Sequence, residues 1–445
     1  MDSLENKVQS LKDELVSSIQ QLVQIKSVEA EALEKMPFGK GVNDALQFTL
    51  ALGEKMGFST VNKDGYYGYI EMGEGEELIG ILGHLDVVPA EKPEAWTYPP
   101  FSGEIADNRI YGRGTLDDKG PLLAVLYGMK ALKEADIPLN KRVRLILGTN
   151  EETHWKDINK YIEEEEIPTL GFTPDSDYPL INAEKGLLQV KLSIDEGTSF
   201  KFQGGTALNS VPESCSFTGE DLQSLIKTAD DLNYQYIIQE NTFTFLGKAA
   251  HSAKAWEGKN AIVQGALLLS KEKVTSSVID FVAKEVGEDV YARRIFNNYC
   301  DNVSGNLTFN IAKVLIDENK QELYIDIRMP VTKEMKEVLE LLKKSVKPYG
   351  LNMEVLDSLP SLYVPEDHYL VQTLRQVYEE VTNQNSTPLA TGGATYARAF
   401  KNFVAFGPLF PGEEKMAHKA NEYIDIDSLM KTTVIYAKAI VKLLQ

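Results

Sequence analysis

The 445-residue chain is predicted to be an α/β protein: a main domain on a mixed sheet, with a second α/β domain inserted in it. Three observations predict this. Short apolar runs alternate with helix-length amphipathic stretches through the first third of the chain, the pattern of a layered α/β sheet. The length exceeds what one hydrophobic core supports, so at least two domains follow. After Gly186 the texture changes, and no metal-donor cluster recurs until the chain nears its end.

In order, residues 11–25 form an amphipathic helix with Leu11, Leu15, Ile19, Leu22 and Val23 at helical spacing. A second helix spans 42–56 and stops at Gly57. Residues 67–72, 78–82 and 142–147 are strand-like, and between the last two a helix over 121–135 opens on Pro121, a favoured first-turn residue. The acidic run Glu163 to Glu166 is a solvated helix face. Then come a strand over 187–194, a helix over 222–232, a strand-rich stretch over 234–246 and a helix over 261–269. A hairpin of 306–314 with 322–329, a helix over 333–344 and a strand over 351–356 complete the insertion. The main domain resumes near Leu362 through a helix over 369–381, giving a main domain of 1–185 and 362–445 around an inserted domain of 186–361.

Composition narrows the function classes. With 43% apolar and 25% charged residues, the chain is an ordinary globular protein. A formal charge of -20 repels nucleic acid and anionic membranes, so neither is expected as a partner. Two cysteines, Cys215 and Cys300, are too few for a disulfide framework. The polar, acidic start Met1-Asp2-Ser3-Leu4-Glu5 lacks a secretory signal, and no uncharged apolar stretch is long enough for a bilayer. A cytoplasmic location is expected.

The chemistry lies in short donor clusters placed just after strand-like or turn-like segments: His84-Leu85-Asp86, Asp117-Asp118, Glu151-Glu152, Asp175 and His418. Singly, each is more often structural than a ligand. Together, two imidazoles and several carboxylates make the mixed nitrogen and oxygen set that a pair of divalent cations needs. Such a pair requires one bridging carboxylate, which one acid of Asp117-Asp118 supplies from a turn eased by Gly112, Gly114 and Gly120. Asp86 is suited to orient the imidazole of His84 through its second nitrogen. Of Glu151 and Glu152, one binds metal and its neighbour stays free to take a proton from water. His251, in Gly247-Lys248-Ala249-Ala250-His251-Ser252, is placed to stabilise an oxyanion, whereas His154 and His368 are given no role.

In order, Gly83-His84-Leu85-Asp86, Gly112-Arg113-Gly114-Thr115-Leu116-Asp117-Asp118-Lys119-Gly120, Asn150-Glu151-Glu152, Thr173-Pro174-Asp175 and His418-Lys419-Ala420-Asn421-Glu422 closely resemble a known family. It is the co-catalytic metallopeptidase superfamily of aminoacylases, glutamate carboxypeptidases and succinyl-diaminopimelate desuccinylase. Gly-Thr-Leu-Asp-Asp-Lys-Gly-Pro at 114–121 and Gly-Phe-Thr-Pro-Asp at 171–175 look like its dipeptidase V branch. That resemblance implies His84, Asp117 and Asp175 on one metal, and Asp117, Glu152 and His418 on the other. It makes Glu151 the general base and the Asp117–Asp118 peptide cis. It also implies a lid of two tandem α/β halves that mimic a partner subunit, so that a monomer suffices.

By the same resemblance Asn209, His251 and Arg328 contact substrate, Arg328 taking a terminal carboxylate with its planar fork; the bland alternative is a surface ion pair. Gly392 and Gly393 match a Gly-rich loop whose amides approach the substrate backbone, although Ala394 stands where another Gly is expected. The implied activity is hydrolysis of unblocked dipeptides with two divalent ions, Zn2+ first, with Mn2+ or Co2+ also suited. The rivals are an N-acyl amino acid amidohydrolase, a carboxypeptidase or aminopeptidase on short peptides, and a non-catalytic metal-binding relative.

Overall fold

Every residue of the strand Leu78–His84 is buried, because it runs between two parallel neighbours and is covered by helices. In this computed structural model, which describes residues 2–90, 92–220 and 222–445, the strand belongs to the first of two compact units. That unit comprises Met1–Asn182, Val364–Leu389 and Ala394–Gln445. Six strands of its sheet run in the order Ser59–Lys63, Tyr67–Gly73, Arg142–Gly148, Leu78–His84, Leu170–Thr173 and Phe403–Ala405. The first two pairings are antiparallel and the rest parallel, so the sheet is mixed.

The helix Lys119–Glu134 packs against the helices Lys12–Gln24 and Ile426–Leu444. It is buried nearly all round, with Leu122, Leu123, Leu126 and Leu132 inaccessible. The helix Ile426–Leu444 is not among the elements expected from the sequence. Its residues from Thr432 to Ile440 are buried without interruption, and a helix enclosed on every side needs no polar face.

The acidic run departs from expectation in its second half. The helix Lys156–Glu164 stops before its last two acids. Glu163 and Glu164 lie exposed within it, a solvated helix face as expected, whereas Glu165 lies 2.9 Å from Lys63 and Glu166 pairs with Arg142 at 2.7 Å.

The second unit, Ala183–Tyr363 with Ala390–Gly393, is built on one eight-stranded antiparallel sheet. Its order is Gln235–Gln239, Thr242–Leu246, Ser214–Thr218, Lys201–Gly204, Thr308–Ile316, Gln321–Met329, Gly186–Ile194 and Asn352–Leu359. The helices Leu222–Asp231 and Ala261–Lys271 serve the first half, and Ser277–Phe281 and Met335–Val346 the second. The halves join where Phe202 to Gly204 pair with Val314 to Ile316. The hairpin expected from the sequence is present, from Thr308–Ile316 to Gln321–Met329. Asn260 starts the helix Ala261–Lys271 by accepting hydrogen bonds from the amides of Ile262 and Val263, the usual role of an Asn cap.

Among the described residues no helix is long and apolar enough to cross a membrane.

Candidate active site

Three parallel strands end side by side and deliver most of the predicted donors. His84 closes its strand opposite Gly148. Glu151 and Glu152 follow Gly148 in the next turn, and Asp175 follows Leu170–Thr173. Sites in open α/β sheets form outside the carboxyl ends of strands. Asp117 comes from the turn before the helix Lys119–Glu134, and its peptide bond to Asp118 is cis. Gly83 lets that turn approach: a Cβ there would lie 2.5 Å from Asp118 Oδ2. Gly120 is equally constrained, since a Cβ there would lie 2.1 Å from the Thr115 carbonyl oxygen.

Asp117 holds the centre. Its Oδ1 lies 3.0 Å from His84 Nε2, and its Oδ2 lies 3.1 Å from His418 Nε2. His418 Nε2 is also 3.0 Å from Glu152 Oε1, and His84 Nε2 is 3.7 Å from Asp175 Oδ2. All five predicted donors therefore gather around one carboxylate. His84 is fully buried, whereas His418 sits in the left-handed region (φ 64°) with its side chain 54% exposed.

Asp86 acts differently from expectation. The nitrogen His84 Nδ1 donates to the backbone carbonyl of Asp86 at 2.9 Å, with the carboxylate farther off at 3.6 Å. The carboxylate instead accepts from the amides of Glu151 and Glu152, one on each oxygen, both at 3.1 Å. Asp86 thus orients the imidazole through its main chain and the acidic turn through its side chain.

Other supporting residues were not picked out from the sequence. Buried Glu422 accepts from the amides of Gly114, Leu116 and Asp117 on one oxygen and pairs with Arg113 through the other. Its place four residues after His418 was the available signal. Lys119 donates to the carbonyls of Leu22 and Ile25, and burial lowers its ammonium to about 7. Asp157 accepts from the amides of Thr149 and Asn150 and from the Tyr396 hydroxyl, while the Tyr396 ring stands edge-on to His84. His368, given no role, accepts from the amide of Leu370 and caps the helix Tyr369–Thr382.

Burial sets the electrostatics. It pushes the Glu151 carboxyl well up, with Asp175, Glu152 and Asp117 adding to the rise and His84 opposing it. Burial also raises Glu152 and, with Asp117, Asp175. For Asp117 burial is outweighed by His418 and His84, which hold it low. Contacts with Asp117 and Glu152 raise His418 to about 11. For His84, burial pulls downward, but Asp117, Asp175 and Asp86 outweigh it. Converging carboxylates in so dry a place call for positive charge.

The donor set fits divalent cations. One atom each from His84, Asp117 and Glu152 lies within 4.8 Å of the other two, and imidazole with carboxylate suits zinc, manganese or cobalt.

The remaining predicted residues lie in the second unit. Exposed His251 accepts the Ala253 amide on Nδ1 at 3.1 Å, which leaves Nε2 to carry the proton of the neutral ring. Burial and the charge of Arg328 keep it below the ordinary histidine value. The carbonyl of Asn209 accepts from the Ser252 amide. Arg328 is a buried ion pair rather than a surface one: Nε and Nη2 donate to the two oxygens of Asp326 at 2.8 and 3.1 Å, and Nη1 donates to the Gly392 carbonyl at 2.9 Å. Its Nε edge is therefore already taken. Gly392 packs so close to Ala253 that a Cβ would lie 2.5 Å from that residue's own, and the Gly393 amide donates to Thr391 Oγ1.

Comparison with known proteins identifies the family. The family model described as Peptidase family M20/M25/M40 matches residues 80–442. The chain is 39% identical over 458 residues to "Putative dipeptidase YtjP" of Bacillus subtilis (strain 168), with 97% of each covered. Among solved structures, the M20 family metallo-carboxypeptidase Sso-CP2 of Sulfolobus solfataricus shares the fold with a TM-score of 0.60 at 19% identity, over 97% of this chain and 99% of that one. Human carnosine dipeptidase 1 does so with a TM-score of 0.59 at 13% identity, over 100% and 99%. Strand-end donors, a mixed sheet and a match across most of the chain lead to one conclusion: the protein belongs to peptidase family M20/M25/M40.

Proposed function

We propose that the protein is a cytoplasmic, monomeric dipeptidase that hydrolyses unblocked dipeptides with two divalent cations. The observation that carries this reading is Asp117, whose two oxygens face two different imidazoles at 3.0 and 3.1 Å. His84, Asp117 and Asp175 would hold one cation, and Asp117, Glu152 and His418 the other. When bound, the cations supply Lewis acidity toward the scissile carbonyl and the attacking water.

Glu151 takes a proton from that water as the new C–O bond forms, then returns it to the leaving amine as the C–N bond breaks. Asp86 fixes this base by holding the Glu151 amide. His251 Nε2–H donates to the developing oxyanion. Arg328, its charge held by Asp326, offers its remaining N–H groups to the terminal carboxylate, with Asn209, Gly392 and Gly393 steadying the substrate. A lid role for the inserted unit is part of the same proposal.

The test is metal analysis paired with activity reconstitution across a dipeptide panel, with acetylated amino acids and tripeptides alongside. Chelator-sensitive cleavage of free dipeptides alone is the expected result. Preference for acetylated amino acids or tripeptides would replace the dipeptidase reading, and a metal-loaded protein that cleaves nothing would leave a binding relative.

A further inference from the structure

The strand Thr308–Ile316 lies between Lys201–Gly204 and Gln321–Met329 in the sheet of the second unit, and from Thr308 to Ala312 every residue is buried. Phe309 and Ile311 belong to the hydrophobic core of that unit. Asn310 stands between them and faces the opposite side of the sheet, as alternation along a strand requires. A short polar amide is poorly suited to a central strand, and burying it unpaired costs the desolvation of the group. At 2% exposure Asn310 depends on partners inside the protein.

Those partners lie far away in the chain. Nδ2 donates to the Ser210 carbonyl and to Ser252 Oγ, both at 2.8 Å. Oδ1 accepts from Asn260 Nδ2 at 3.2 Å. The two ends of the Asn310 amide cannot be exchanged. The Ser210 carbonyl can only accept, and Asn260 commits its own oxygen to the amides of Ile262 and Val263.

Ser210 and Ser252 directly follow Asn209 and His251, two of the proposed substrate contacts. Ser210 pairs with His251 in an antiparallel bridge, and the Ser252 amide donates to the Asn209 carbonyl at 2.9 Å. Ser252 Oγ, which accepts from Asn310, donates onward to the Leu208 carbonyl at 3.2 Å. These bonds join the two segments to each other, and Asn310 joins both to the sheet. Ser252 and Asn310 are buried, whereas Asn209 and His251 are exposed. His251 caps the short helical turn Ser252–Glu257 by accepting the Ala253 amide on Nδ1. The direction of its ring therefore follows the placement of this segment.

We infer that Asn310 is a positioning residue: it fixes the segments of Asn209 and His251 on the sheet and thereby aims the Nε2–H of His251. The inference rests on the dipeptidase reading for what that N–H does, and on the hydrogen bonds alone for the anchor. A donor to an oxyanion is effective only when it is held in place beforehand, and a displacement of about 1 Å can slow a reaction by ~100-fold.

Asn310→Ala, made in the full metal-loaded chain, is the test. Turnover should fall by about 10–100-fold at wild-type metal content. In a His251→Ala background the same substitution should slow turnover by less than about two-fold further, because the group it aims is gone. A crystal structure of Asn310→Ala should show the His251 imidazole moved by about 1 Å or more relative to the strand Thr308–Ile316. If Asn310→Ala does not fold, Ser252→Ala removes one acceptor of the same amide and takes its place in each measurement. An equal loss in both backgrounds would reduce Asn310 to a source of stability, and an unmoved imidazole would overturn the anchor. Wild-type turnover by His251→Ala would remove the oxyanion role instead, and a displaced imidazole would then still support the anchor.

Discussion

Glu422 accepts a hydrogen bond from the backbone amide of Asp117 at 3.2 Å, across 305 positions of sequence. The same oxygen takes the amides of Gly114 and Leu116 at 3.0 Å, so the turn that presents Asp117 is moulded around a buried carboxylate outside the donor set. Burial and the charge of Asp117 push Glu422 up to about 7, while Arg113 opposes them.

Removing that anchor leaves three amides and the Arg113 guanidinium unsatisfied. Glu422→Ala should destabilise the fold by roughly 3–5 kcal/mol, the usual result of orphaning a buried charge, and should lower metal content with it. Urea unfolding measures the first effect and elemental analysis the second. A variant with wild-type stability would show that the turn does not depend on Glu422.

Asp86 accepts one amide on each oxygen, from Glu151 and Glu152. Asp86→Asn replaces one acceptor with a donor aimed at an N–H. Metal affinity or turnover should fall by about 10–100-fold, as for other supports of metal ligands. Calorimetric metal titration and steady-state rates measure this, and wild-type values for both would assign Asp86 to structure alone.

Glu151 and Asp117 should separate chemistry from binding. Glu151→Ala is expected to lose about 10²–10⁴-fold in turnover, the range for a general base, with metal content near wild type. Asp117→Ala should lose metal and activity together, since both cations are assigned to it. Retained turnover in the first variant, or two metals in the second, would misplace these roles. His251→Ala should slow turnover without changing metal content.

Asp157 provides a pH signature away from the donor set. Burial, with the Asp86 charge, raises its carboxyl to about 6 against the opposing hydrogen bonds from Tyr396 and Thr149, whereas an unfolded aspartate titrates near ~3.9. Between these values the folded state holds a proton that the unfolded state has released, so stability falls as pH rises. The loss is complete above the folded value and amounts to about 3 kcal/mol. Asp157→Asn should therefore gain on wild type by that amount between about pH 4 and pH 7. Denaturant titrations at the two pH values measure it, and a difference that stays constant would refute the titration.

The donors were legible in the chain because each stands beside a local signal. His84 ends an apolar strand, Glu151 and Glu152 follow another, Asp117 sits among glycines, and strand and helix periods mark the ends themselves. Such signals depend on neighbours a few residues apart, which the order of amino acids alone determines. Tertiary structure decided the rest. The Glu422 anchor, the Asp157–Tyr396 contact and the hold of the Asp86 carboxylate on the amides of Glu151 and Glu152 are products of packing. Hydrogen bonds between distant segments carry no period and no fixed spacing, and only the folded chain states which buried polar group finds a partner.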